Sequence, residues 1–246
     1  MKRLSIALLS LVIITAGCKT TAQSKTGFVK IFDGKTLKGW EGDTAYWRVE
    51  NGNLVGEITP TKLLKTNSFL IYRGATPDDF ELTLEFRITA TGNSGINYRS
   101  TQLTDVPFAL RGYQADIDGA NRYTGQNYEE RARTTLAYRG ERVLIPTSAG
   151  DFKSHLKNNA WTERKIMGSL GSSDSLKTFI KSEDWNTCRL VVKGNKLQHY
   201  INGVLMSEVI DEDTENRKMS GLLGVQVHVG PPMKVEYREI HFRTMH

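Results

Sequence analysis

Three short stretches of this sequence place hydrogen-bonding and ionisable side chains two residues apart. Gly95-Ile96-Asn97-Tyr98-Arg99 alternates Asn97 and Arg99 with larger neighbours. Gly112-Tyr113-Gln114-Ala115-Asp116-Ile117-Asp118 aligns Gln114, Asp116 and Asp118. Gly224-Val225-Gln226-Val227-His228-Val229 sets Gln226 and His228 against three valines. Successive side chains of an extended strand point to opposite faces, so each set is expected to share one face of its strand. A single polar face is ordinary for the solvated side of an antiparallel sheet. Three strands with the same amide, carboxylate and imidazole character point to a shared polar groove. Planar amides and carboxylates supply the donors and acceptors that sugar hydroxyls require, and an imidazole beside carboxylates can move protons near neutral pH. The segment Tyr123-Thr124-Gly125-Gln126-Asn127-Tyr128-Glu129-Glu130-Arg131 adds aromatics, acids and a base, and is expected to cover the groove. The competing role for Glu129 and Glu130 is surface ion pairing with Arg131 or Arg133.

The elements that must position these groups are strands. Phe80, Leu82, Leu84, Phe86 and Ile88 interleave with Glu81, Thr83, Glu85 and Arg87, a period of two that predicts a half-buried antiparallel strand. Similar patterns predict strands at 28–32, 46–49, 53–57, 68–72, 94–99, 112–118, 134–138, 185–193, 196–201, 221–229 and 234–243. Gly194-Asn195 joins two of them, and Asn202-Gly203 favours a tight hairpin. Helical stripes are short, at Phe152/Leu156 and Leu176/Phe179/Ile180, both inside the irregular stretch from Gly119 to Glu183. The pattern predicts an all-β sandwich of two antiparallel sheets with an irregular, partly helical insert.

The 246 residues are 39% apolar and 24% charged, which excludes disordered, collagen-like and disulfide-dense classes. The net charge of +6 is modest and no basic run exceeds two residues, which argues against a nucleic-acid partner. Lys2 and Arg3 precede an apolar run, Leu4 to Ile14, too short to span a bilayer as a helix. It reads as a secretory signal over residues 1–17. Thr15-Ala16-Gly17-Cys18 resembles a bacterial lipobox, although Thr15 stands where Leu is usual. Cys18 is therefore expected to carry lipid, with residues 18–27 as anchor and tether, residues 28–246 as the folded domain, and the bacterial cell envelope (periplasm or outer membrane) as its location. The mass of membrane-extracted protein tests this expectation. Cys188 is then the sole thiol, expected to be a buried strand residue.

Several segments carry a family resemblance. Phe32-Asp33-Gly34-Lys35-Thr36-Leu37-Lys38-Gly39-Trp40 resembles the opening of the 3-keto-disaccharide hydrolase family, also called 3-keto-α-glucoside 1,2-lyase/3-keto-2-hydroxy-glucal hydratase domains. Asn93-Ser94-Gly95-Ile96 with Arg99, the Gly112–Asp118 segment, Trp185-Asn186, Asn202-Gly203 and Gly224–His228 follow in the family's order, from about Phe28 to Phe242. The resemblance implies a concanavalin A-like jelly roll. It also implies substrates that a partner oxidoreductase has oxidised at C3 of a sugar.

A ketone at C3 acidifies the C2 proton, whose removal lets the enolate expel the C1 substituent; water can then add back. Such a site needs a base, a cradle for the enolate oxygen and an acid. His228 is the expected base, with Asp116 as a competing base or as the group that orients His228. Arg99, with Asn97 or Gln114, suits the oxyanion. Glu130, Glu129 or Tyr128 suits the acid, and Asp118 and Gln226 complete the expected substrate contacts. A divalent metal on Asp116, Asp118 or His228 would be an alternative electrophile, though no ligand motif points to one. The rival functions are a sugar-binding module and a conventional two-carboxylate glycosidase. The E-x-D-x-x-E strand common in sandwich β-glucanases does not occur in the chain.

Overall fold

The alternating segment becomes the strand Phe80–Ile88, with all five of its apolar side chains buried. It lies between Asn186–Lys193 and Met233–Thr244, so Leu84 faces the interior beside Cys188. The outward face carries charge instead. Glu81 pairs with Arg189 and Arg243, Glu85 with Arg238, and Glu236 with Arg87. Burial pushes the Cys188 thiol up to about 12, which leaves it an inert core group. Leu84→Ala should cost about 2–5 kcal/mol in chemical denaturation, the usual range for a buried leucine. A loss of about 0.5 kcal/mol, typical of surface changes, would contradict its place in the core.

The computed structural model describes residues 27–75 and 78–245. The signal segment, Cys18 and the tether up to residue 26 lie outside the described residues. Two sheets stack face to face. The first runs Lys165–Ser169, Glu141–Ile145, Val204–Asp211, Lys196–Ile201, Asn186–Lys193, Phe80–Ile88, Met233–Thr244, Asn53–Ile58 and Trp47–Glu50, with Val29–Lys30 also on Met233–Thr244. The second runs Leu156–Lys157, Ala160–Trp161, Thr134–Ala137, Asn127–Glu130, Leu110–Asp118, Asn93–Gln102, Leu222–Val227, Ser68–Tyr72 and Trp40–Glu41. The architecture is the expected all-β sandwich, with one correction. Each sheet holds a parallel pair, Glu141–Ile145 on Val204–Asp211 and Thr134–Ala137 on Ala160–Trp161, so neither is purely antiparallel.

The stretch from Gly119 to Glu183 adds detail to the expected insert. It is irregular as expected over most of its length, but six short strands within it extend one edge of each sheet, and its helical part is only a 3-10 turn at Phe152–His155 and a helix at Ser173–Lys177. Both have side-chain caps, Asp151 and Ser172, accepting from Ser154 N and Ser175 N. Its strands span two to five residues, too few for an alternation to stand out in sequence. The Asn202-Gly203 turn has φ of 49° and 82°, the double positive φ that a type I′ hairpin requires. In the Phe32–Trp40 segment, Asp33 accepts from the backbone of Lys35 and Thr36, and the Trp40 indole donates to Ile31 O at 2.9 Å. That motif folds a turn and lies away from the polar groove.

Candidate active site

The polar groove forms on the second sheet, on the side away from the first. Cross-strand register sets its floor: Gln114 lies between Asn97 and Tyr128, and Asp116 is opposite Gly95. A Cβ at Gly95 would come within 2.5 Å of the Gln114 side chain, so glycine is what lets Gln114 lie across the sheet. Gln226 donates to Gln114 at 3.3 Å, Gln114 donates to Asp116 Oδ1 at 2.6 Å, and Gln126 donates to Asp116 Oδ2. These amides hold one carboxyl in a cleft of about 190 Å³. Glu130, Tyr128 and His228 line the same cleft, with Asn93, Tyr123 and Asn159.

The electrostatics follow from burial. Desolvation pushes the Asp116 carboxyl up to about 7, against the two glutamine hydrogen bonds and with smaller help from the charges of Glu130 and Asp118. Burial likewise raises the Glu130 carboxyl, opposed by its hydrogen bond from Asn67 (3.1 Å) and the charges of Arg131 and His228. His228 Nδ1 lies 2.6 Å from the Val229 carbonyl. A carbonyl only accepts, so Nδ1 carries the hydrogen, and neutral His228 keeps Nε2 as a bare acceptor. Asn67 joins these parts, since its Oδ1 takes Val229 N at 2.9 Å while its amide holds Glu130. Tyr128 donates to Asn159 Oδ1 at 3.1 Å, and burial pushes its phenol up to about 12.

Of the expected site residues, the structure brings Asp116, Gln114, Glu130, Tyr128 and His228 around one cleft, with Gln226 hydrogen-bonded beneath. Asn97 is beside Gln114 but fully buried, with neither amide atom hydrogen-bonded. Asp116 has no bond to His228; the orienting partner is the Val229 carbonyl.

Three residues are elsewhere. The register shifts between Tyr98 and Thr101, and Arg99 takes φ of 45°, so the period of two breaks there. The Arg99 guanidinium instead donates to the carbonyls of Asp78, Gly194 and Lys218 and pairs with Asp79 at 3.3 Å, tying loop ends together. Asp118 accepts from the backbone of Arg122, Tyr123 and Thr124 at 2.8–2.9 Å, so it shapes the loop that presents Tyr123 and Gln126. Glu129 alternates with Tyr128 and Glu130 on a true strand and therefore faces inward, where it pairs with Arg133 at 2.6 Å. The segment is part of the groove wall, not a cover laid over it.

His199 is interior, 2.8 Å from the Tyr98 hydroxyl and lowered to about 4 by burial. His155 bonds Ala149 O and Glu163 outside the cleft, and His241 sits beside Glu239. Asn93 and Gln126 share the parity of residues already singled out, which was the signal for them. Asn67 and Asn159 sit in loops with no period to read. Among the described residues, no group of three or more His, Cys, Asp or Glu is placed to hold a metal ion.

The raised Asp116 carboxyl has a stability signature. Its folded value of about 7 lies above its ordinary 3.8. Between those values the native state retains a proton that the unfolded chain has lost, so this group's contribution falls as pH rises through that window. Asp116→Asn removes the linkage. The Tm of the variant minus that of wild type should therefore climb by several degrees from pH 4 to pH 7.5. A difference independent of pH would show that Asp116 is not held protonated.

Comparison with known proteins agrees with this architecture. Two Parabacteroides distasonis ATCC 8503 structures provisionally named glycosyl hydrolases match at 18% and 17% identity, with TM-scores of 0.57 and 0.55. They cover 91% and 89% of this chain, and 96% and 99% of their own. A Bacillus subtilis protein of unknown function with a galectin-like fold matches at 13% identity, TM-score 0.56, over 88% of this chain and 94% of its own. These likenesses show a jelly-roll sandwich. No curated protein sequence matches significantly. The family model described as 3-keto-alpha-glucoside-1,2-lyase-like domain matches residues 27–243, the whole of the sandwich and its groove. The chain belongs to the 3-keto-alpha-glucoside-1,2-lyase-like domain family.

Proposed function

We propose that this protein cleaves the glycosidic bond of 3-keto-glucosides by removing the C2 proton and expelling the C1 substituent. The observation that supports it best is the bare Nε2 of His228 in the same small cleft as a carboxyl that still carries a proton near neutral pH. His228 Nε2 takes the C2 proton, and the electron pair passes into the C3 carbonyl as an enolate. Collapse of the enolate forms the C1–C2 double bond and breaks the C1–O bond. Asp116, in its protonated form, gives its proton to the departing oxygen. Glu130, whose charge acts on His228, stabilises the imidazolium that has formed. With Arg99 outside the cleft, hydrogen bonding from Asn93 is the support available to the enolate oxygen. Water then adds across the double bond in a second step.

The ketone comes from a sugar 3-oxidoreductase acting first. An N-terminal lipid on Cys18 would hold the enzyme in the bacterial envelope beside that supply. A second reading, a two-carboxylate glycosidase, is favoured by Asp116 and Glu130 lining one cleft. Matched native and 3-keto glucosides in deuterated solvent separate the readings. Elimination requires that only the ketone reacts, with deuterium entering at C2. Rapid hydrolysis of the native glucoside would establish the glycosidase, and binding without turnover a sugar-binding module.

A further inference from the structure

We infer that this protein has a second ligand site, for an uncharged saccharide, at the end of the sandwich where Glu129 is buried; the inference does not depend on the cleavage reaction proposed above. A cavity of about 320 Å³ lies where the strand Asn93–Gln102 ends, Leu110–Asp118 begins and Asn127–Glu130 ends. Thr101, Arg111, Glu129, Phe152, Asn216 and Lys218 border it. An adjoining cavity of the same volume shares Phe152, Glu215 and Asn216 and adds Trp161. Tyr128 and Glu130 border the candidate active site, whereas Glu129 between them borders this cavity. One strand therefore separates the two sites, and filling one leaves the other open.

Two polar groups on these walls are unmatched. Glu129 is 2% exposed, and its Oε2 accepts both Arg133 N and Arg133 Nε. Among the described residues, none donates to its Oε1. Trp161 is 1% exposed, and its indole N–H has no acceptor among the described residues. Buried polar groups are ordinarily paired, so an acceptor and a donor left over beside two cavities point to a ligand. The walls are also fixed in advance. Asp213 accepts from the backbone of Glu215 and Asn216 at 3.2 and 3.3 Å and from the Asn216 amide at 2.8 Å. Lys218 N donates to the Tyr113 hydroxyl at 3.3 Å, and the rings of Phe152 and Trp161 pack with centroids 5.1 Å apart.

The chemistry of the walls selects the ligand. A carboxylate oxygen only accepts, so the ligand must donate to Glu129. Arg111 and Lys218 only donate, so it must accept as well. An organic cation would meet the charges of Arg111 and Lys218, and an anion those of Glu129 and Glu215. Hydroxyl groups donate and accept without charge. Phe152, which borders both cavities, supplies apolar surface for the C–H groups of a sugar ring.

Titration of the protein with maltose, followed by backbone amide NMR, tests the site. Resonances of Thr101, Gly112 and Lys218 should shift saturably, independently of any change at Asn93 and Tyr123 beside the active-site cleft. Phe152→Ala should weaken this binding roughly 3- to 10-fold through lost ring contact. Glu129→Gln should weaken it about 10-fold or more, as expected for a hydrogen bond to a charged group. That change also breaks the ion pair with Arg133, so Phe152→Ala carries the test if the Glu129 variant does not fold. Choline and glucose 6-phosphate, the cationic and anionic counterparts, should bind more weakly than maltose. Maltose shifts confined to the cleft, no shifts at all, or full affinity in folded Phe152→Ala would overturn the site. Tighter binding of choline or glucose 6-phosphate at Thr101 and Lys218 would overturn the uncharged saccharide as its ligand.

Discussion

His228→Ala is expected to lower kcat on 3-keto glucosides by about 10²- to 10⁴-fold, the range that general-base assistance contributes. The fold should survive the change, because His228 is only partly buried and its ring bonds only to the carbonyl of the next residue. Circular dichroism and Tm close to wild type would confirm that the loss is chemical. The pH profile gives a second reading of the same machinery. If protonated Asp116 serves the leaving oxygen, kcat/KM should fall as pH rises through about 7, where that carboxyl loses its proton. Asp116→Asn should depress the rate and erase this alkaline limb together. Wild-type turnover in His228→Ala would transfer the base to Asp116, and the limb would then reverse sign, since a base must be deprotonated to act.

The second large effect belongs to stability. Arg133 has no exposed side chain and sits among three carboxylates, with Glu129 at 2.6 Å, Asp211 at 2.6 Å and Asp213 at 3.2 Å. The Tyr113 hydroxyl completes the cluster, donating to Asp211 at 2.5 Å. The acids raise the Arg133 guanidinium well above its ordinary value, against the burial that disfavours its charge. Arg133→Ala would leave three buried acids without a counter-charge, and removal of one partner from a buried ion pair costs about 3–5 kcal/mol. That is a large share of the roughly 5–15 kcal/mol by which domains are stable. Arg133→Lys should recover only part of the loss, since an ammonium cannot reproduce the planar fork that meets Glu129, Asp211 and Asp213 at once. Urea denaturation measures both. A loss below about 1 kcal/mol for Arg133→Ala would mean that the acids are solvated or neutral.

The same cluster shows where sequence reasoning reached its limit. Glu129 was expected to face the groove with Glu130, yet neighbours on a strand face opposite ways, and the strand Asn127–Glu130 spans only four residues. Parity worked where a strand ran long enough to display it and kept its register. Phe80 to Ile88 was legible as a core strand, and Gln114, Asp116 and Gln226 as one polar face, because alternation is a local consequence of the extended backbone. Arg99 fell outside the groove because a bulge inserts an uneven step, and no pattern in Gly95 to Thr101 announces where the register will shift. Asp118 had the right parity and still left the groove, its carboxylate captured by three backbone N–H groups of the following turn. Asn67 and Asn159 enter from loops distant in sequence, where neither period nor composition marks a direction. Local sequence therefore determined which residues share a face, through steric alternation along each strand. Only the tertiary structure decided which faces meet, where loops cross the sheet and how far burial displaces Asp116 and Glu130, because these depend on contacts between segments remote in the chain.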